Sequence, residues 1–271
     1  MKKSLLTFAT LVACMCLTTS CGDDKGKVDP DTPEKVTYIE PCLNWTLDKI
    51  GIQKNSLYSD GKWKLSPEAQ SKELIYLYSG ETMGHYYKFD EDNKLVRAEA
   101  QFLFYDEGLL NQIIDNIQTK YDVKLVEGVQ QGDFSYTATT TINQHITNII
   151  VVNHQFTYML VMFESVIDLT KAVDDPAYLQ GKWTADSYIE NGKKTLYDST
   201  MEFNGTKVVA NIGAGKPEEY DFKYETGKLT LSAPFYRDAE YKINFFTVDA
   251  IQLERTDTFG NTIIVTFFKE K

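Results

Sequence analysis

Gly181-Lys182-Trp183-Thr184-Ala185-Asp186-Ser187-Tyr188-Ile189-Glu190-Asn191-Gly192 decides the fold of the C-terminal third of the chain. The run from Lys182 to Glu190 alternates like a half-buried strand and ends on Asn-Gly. That dipeptide tolerates the left-handed backbone of a tight hairpin turn, so a second strand must fold back beside the first. The signal recurs downstream at Asn204-Gly205, Thr226-Gly227 and Gly260-Asn261. Between the turns lie alternating segments at 182–190, 196–203, 207–212, 219–225, 228–232, 240–248, 250–256 and 262–269. Eight strands in chain order predict an up-and-down meander, and closing it into a barrel removes both exposed edges. An all-β, eight-stranded barrel over 177–271 is expected.

Leu179-Gln180-Gly181-Lys182-Trp183 places Gly-x-Trp at the entry to the first strand. Met201-Glu202-Phe203 precedes a turn, and Ile251-Gln252-Leu253-Glu254-Arg255 lies near the end. In these residues the segment resembles the lipocalin-like domains of bacterial lipoproteins, over about 90 residues. The resemblance implies a structural pair, in which an arginine late in the barrel packs across that tryptophan. Arg255 over Trp183 is the expected pair, and a cation over indole is favourable by ~0.5–2 kcal/mol. Such a pair closes the barrel bottom and binds no ligand.

Upstream, Lys171-Ala172-Val173-Asp174-Asp175-Pro176 marks a composition shift, and Pro176 disfavours helix in the residue before it. A domain boundary is expected there, with an α+β module over 36–172. Thr46 predicts the N-cap of a short helix through Gln53, with Leu47 and Ile50 on its inner face. Strands are expected at 73–79, 84–90 and 94–105, with Asp90-Glu91-Asp92-Asn93 as the turn between the last two. Leu109, Leu110, Ile113, Ile114 and Ile117 recur at 3-and-4 spacing, continued by Tyr121, and predict the clearest helix. Three more strands follow at 134–141, 143–152 and 155–164. Helix, three strands, helix, three strands predicts an antiparallel sheet with helices on one face. Pro41-Cys42-Leu43-Asn44-Trp45, with Tyr87-Lys88-Phe89-Asp90 and Lys94-Leu95 later, resembles an N-terminal module of Bacteroidota lipoproteins of unknown function. That resemblance implies no activity.

The N-terminus carries an export signal. Lys2 and Lys3 precede an apolar run from Leu5 to Leu17, too short for the ~20 residues that cross a bilayer. Leu17-Thr18-Thr19-Ser20-Cys21 then resembles the lipobox of bacterial lipoproteins, although Thr18 stands where that family prefers Leu. The resemblance implies cleavage after residue 20 and fatty acyl chains of the palmitate type on Cys21. Residues 21–35 read as a polar tether without apolar periodicity. Asp23-Asp24 resembles the surface-export signal of Bacteroidota lipoproteins, interrupted by Lys25. The expected location is the outer membrane, on the cell surface or the periplasmic face. Two or more acyl chains would hold the protein there through the lipid alone. Cys42 is then the one free thiol of the mature body, expected as a small buried hydrophobe.

Charge and motifs exclude several classes. The net charge is −11 and becomes −13 without the signal, which repels phosphate backbones and argues against nucleic acid. His85, His145 and His154 are scattered without short ligand spacing, so no metal site and no cofactor is expected. His145 and His154 read as solvated strand residues. The chain lacks the Gly-x-Ser-x-Gly elbow and the phosphate-binding Gly-x-x-x-x-Gly-Lys loop. Serine, histidine and aspartate are present, but their co-occurrence alone predicts nothing. Asp198-Ser199-Thr200 resembles a short Bacteroidota O-glycosylation motif on a surface turn. Tyr76, Tyr78, Tyr86, Tyr87, Tyr136 and Tyr158 are expected half-buried in a sheet ahead of lining a binding face. The function expected is that of a membrane-anchored, non-catalytic binding module for a glycan, a protein or a small apolar ligand. A structural accessory subunit of an envelope assembly is the alternative, and a hydrolase ranks third.

Overall fold

The computed structural model describes residues 36–78, 82–130, 133–154, 157–195, 198–213, 216–232 and 238–270. The signal segment, Cys21 and the tether lie outside the described residues. Tyr38–Lys271 forms a single unit that is mostly β. An antiparallel sheet with few helices comes first, and a closed antiparallel barrel follows.

The first sheet contains β1 (Trp63–Leu65), β2 (Glu73–Tyr78), β3 (Met83–Phe89), β4 (Leu95–Phe102), β5 (Val126–Gln130), β6 (Asp133–Ile142), β7 (His145–His154) and β8 (Tyr158–Asp168). Their spatial order is β1-β2-β3-β4-β8-β7-β6-β5. Helix α1 (Lys49–Gln53) precedes the first four strands, and α2 (Glu107–Tyr121) precedes the last four. Each half is thus a helix and four strands, and the halves meet at the antiparallel β4–β8 pair. The sequence pattern missed one strand in each half, β1 and β5. Both are sheet edges. β1 has only three residues and β5 is interrupted by Gly128, so neither alternates long enough to register.

Ala98, Ala100 and Phe102 on β4 pair with Phe163, Val161 and Met159 on β8, and all six are buried. Tyr121 of α2 meets Phe163 edge-on, with ring centroids 6.1 Å apart. The predicted stripe on α2 turns inward at Leu109, Leu110, Ile113 and Ile117. Its cap is Asp106, whose carboxylate accepts from the Leu109 N–H at 2.6 Å. The phase of α1 differs from expectation. Asp48, not Thr46, caps it by accepting from the Gly51 N–H, while Thr46 bonds the Asn44 side chain instead. Ile52 is therefore the buried residue, and Ile50 is 57% exposed. The opposite face of β4 carries a buried Arg97–Glu99 ion pair, with Gln101 donating to Glu99.

The barrel strands are β9 (Gly181–Glu190), β10 (Lys193–Thr195), β11 (Thr200–Asn204), β12 (Lys207–Asn211), β13 (Glu218–Glu225), β14 (Lys228–Ser232), β15 (Ala239–Phe246), β16 (Ala250–Thr256) and β17 (Thr262–Lys269). From β11 to β17 each pairs with the next, and β9 bonds both β11 and β17, which closes eight strands. β10 is a short arm folded back on β9. Asn191 and Gly192, at φ +50° and +77°, form the turn that the dipeptide predicts. Trp183, Met201, Phe203, Leu229, Leu253 and Phe267 fill the interior and are buried.

The connection between sheet and barrel is bonded to the barrel. Ala172 bridges Thr247, and the Val173 N–H donates to Phe246 at 2.9 Å. The Asp174 carboxylate accepts from Tyr224 at 2.6 Å and from Thr226 at 2.8 Å.

Candidate functional site between the sheet and the barrel

An irregularity in β8 builds the site. Pairing with β7 runs His145 to Asp168, Ile146 to Ile167, then Thr147 to Ser165, so Val166 is an extra residue opposite no partner. In an unbroken strand, residues 165 and 168 would point to opposite faces. The bulge shifts the parity by one and turns both onto the face that carries His145. The Ser165 hydroxyl lies 2.7 Å from His145 Nδ1, and Asp168 Oδ1 lies 3.4 Å from Nε2. With a carboxylate facing Nε2, the ring keeps its proton there, and Nδ1 accepts from Ser165. Burial lowers the His145 pKa, the Asp168 charge opposes that, and Lys94 and Lys171 add to it. The ring is neutral at pH 7. Burial alone would raise Asp168, but hydrogen bonds from the Thr170 hydroxyl and N–H, with His145, hold it below the usual carboxylate range.

These three residues line a cleft of about 160 Å³. The sheet side supplies Trp45, Asp90 and Lys94, the connection supplies Lys171, and the barrel supplies Asp249 and Phe268. The Trp45 indole lies 6.1 Å from the His145 ring. It is 1% exposed, and its Nε1–H has no hydrogen-bond partner. An unmet buried donor costs ~1–3 kcal/mol.

A second polar network is fully internal. His85 Nε2–H donates to the Ile39 carbonyl at 2.9 Å, which leaves Nδ1 to accept from the Tyr58 hydroxyl at 2.8 Å. Tyr58 in turn bonds the Tyr87 hydroxyl, which accepts from the Cys42 N–H at 2.7 Å. Trp63 packs on His85, and Tyr76 stacks on Tyr58 with centroids 3.8 Å apart. Every donor has one acceptor, so this network is a structural latch. Cys42 is partly buried, and its sulfur accepts from the Asn55 amide.

The expected cation over Trp183 is not Arg255. Lys269 Nζ lies 5.4 Å from the Trp183 ring, and the Arg255 guanidinium lies 5.3 Å from Tyr241. Register is the reason. Trp183 pairs with Lys269, whereas Arg255 pairs with Ile263, which pairs with Glu190. Seven residues of β9 separate Trp183 from Glu190, about 23 Å at ~3.3 Å per residue. Trp183 Nε1 donates to Leu179 instead.

Ser199, in the expected glycosylation motif, is buried, and its hydroxyl accepts from the Gly213 N–H at 2.9 Å. It is not a decorated surface residue. Of the six tyrosines, Tyr76, Tyr86 and Tyr87 are buried and Tyr78, Tyr136 and Tyr158 half-buried. Adjacent Tyr86 and Tyr87 point to opposite faces, so the set lines no single surface. His154 bonds Asp133 at 2.6 Å and stacks on Tyr158. Among the described residues, no group of three His, Cys, Asp or Glu side chains is placed to hold a metal. No helix among them is long and apolar enough to cross a membrane. Sequence reasoning missed Ser165, His145 and Asp168 as a group, because a three-residue spacing in a strand reads as two opposite faces and nothing in the local sequence announces the bulge.

No known protein family and no curated protein matches this chain. Two solved structures are similar to it in part. One is a protein of unknown function of the DUF3598 family from Nostoc punctiforme, with TM-score 0.29 and 9% identity over 77% of this chain and 94% of that one. The other is the isotype 1 transferrin binding protein B of serogroup B Neisseria meningitidis, with TM-score 0.22 and 10% identity over 73% of this chain and 52% of that one. Both scores are too low to carry weight for fold or ligand.

Proposed function

We propose that this chain is a lipid-anchored protein of the outer membrane, and that the cleft between its sheet and barrel binds one ring of a glycan. The anchor rests on the lipobox at Cys21 and the polar tether behind it. The mixed lining of the cleft carries the glycan reading, since the Trp45 side chain stands beside carboxylates and ammoniums there. An engineered cavity of ~150 Å³ holds one benzene ring, so a cleft of about 160 Å³ suits one six-membered ring. Sugar hydroxyls both donate and accept. Asp90, Asp168 and Asp249 offer acceptors, Lys94 and Lys171 offer donors, and the indole packs against C–H groups. The barrel interior is occupied by its own side chains, which argues against storage of an apolar ligand there. The lipocalin-like reading is therefore one of architecture and not of transport.

Glycan arrays and saturation-transfer NMR on the detergent-solubilised full chain test the cleft. A monosaccharide ring should contact Trp45, and Trp45→Ala should abolish its binding. A blank array with a folded chain overturns the glycan reading. Cys21→Ser should move the protein from the membrane to the soluble fraction, and its retention on the membrane overturns the anchor.

A further inference from the structure

We infer that Ser165 is an acyl-accepting nucleophile and that the cleft hydrolyses short O-acyl esters carried on the ring it binds. The substrate rests on the glycan reading above, whereas the nucleophile rests on its own geometry. A serine hydroxyl 2.7 Å from a histidine nitrogen, with a carboxylate across the ring, is the minimum set for acyl transfer. The β7–β8 bulge brings these residues together despite their spacing, and bulges recur where a side chain must be re-aimed beside a site. The pair opens on a cleft lined by the charged side chains of Lys94, Lys171 and Asp249, which a structural Ser–His contact does not need.

Ser165 Oγ attacks the ester carbonyl carbon as its proton passes to His145 Nδ1. The intermediate collapses, the bond from the acyl carbon to the sugar oxygen breaks, and that oxygen takes the proton from Nδ1. A water then repeats the cycle. Its proton goes to Nδ1, its oxygen bonds the acyl carbon, and Ser165 Oγ leaves and recovers a proton. One water is consumed, an ester becomes an acid and an alcohol, and nothing is oxidised. Asp168 faces the Nε2–H and stabilises the imidazolium while it exists. Lys94 and Lys171, which line the same cleft, supply positive charge to the developing oxyanion.

The test uses a fluorophosphonate, whose phosphorus bonds an activated serine with loss of fluoride, on the detergent-solubilised full chain. Mass mapping should find the label on Ser165. His145→Gln should slow labelling by ~100-fold or more. Ser165→Ala should abolish label and acetate release from O-acetylated glucose. The charged groups lining the cleft around His145 are Asp168, Asp90, Asp249, Lys94 and Lys171. The labelling rate should rise with pH and reach half its plateau below the ordinary histidine value of 6.5, because only the neutral ring accepts the proton. Thermal melts accompany each variant, and His145→Gln, which keeps the serine, decides the case if Ser165→Ala fails to fold. A chain that binds the ring but leaves Ser165 unlabelled overturns this inference alone. Label on Ser165 without ring binding overturns the glycan reading and supports the nucleophile.

Discussion

Both ring nitrogens of His85 are engaged, one donating to Ile39 and the other accepting from Tyr58. Burial lowers its pKa to about 3, against an ordinary 6.5. Between those values the unfolded chain binds a proton that the folded chain refuses. Stability therefore falls as pH drops from 6.5 toward 3, by an amount on the order of 5 kcal/mol at the low end. Melting temperatures taken at half-unit steps should decline across this window, and His85→Gln should flatten the decline. An unchanged slope in that variant would show that another group controls acid stability. At Trp183, double-mutant cycles separate the two cations. Coupling with Lys269 should be ~0.5–1 kcal/mol, and coupling with Arg255 should be indistinguishable from zero. Trp183→Ala itself should cost ~3–5 kcal/mol, since the indole is buried and bonded to Leu179.

The bulge in β8 is the element on which the cleft depends. The bulge sets Asp168 opposite His145 although three residues separate it from Ser165. The Asp168 charge raises the His145 pKa, so Asp168→Asn should lower it further. Imidazole NMR titration measures this, and an unchanged midpoint would mean the carboxylate does not act on the ring. The longer elements were readable because their periodicity is strong. The stripe on α2 and the alternation of the barrel strands repeat over enough residues to average out single exceptions. β1 and β5 are too short or too interrupted for that, and Asp48 displaced Thr46 at α1 because a nearby asparagine captured the threonine.

For the molecule as a whole, residues 172–174 join the sheet to the barrel through bonds and not through a free hinge. Asp174 sits below the usual carboxylate range because Tyr224 and Thr226 donate to it. Asp174→Ala should therefore speed amide exchange at Val173 and neighbouring residues while leaving protection in the middle of β8 and β17 unchanged. Equal acceleration everywhere would mean that the substitution lowers global stability instead. The cleft draws walls from both sides of this junction, so the same variant should weaken ring binding without touching a lining residue.

The strand meander of the barrel and the main helix are properties of local sequence. Each depends on residues close together in the chain: an Asn-Gly turn, a stripe at helical spacing. The Ser165–His145–Asp168 group, the exchange of Arg255 for Lys269 over Trp183, and the burial of Ser199 depend on register between strands distant in the chain. A single extra residue or a seven-residue offset along a strand changes which side chains meet. That information lies in the closure of the sheet and barrel, where strand pairing and packing decide together, and only the tertiary structure contains it.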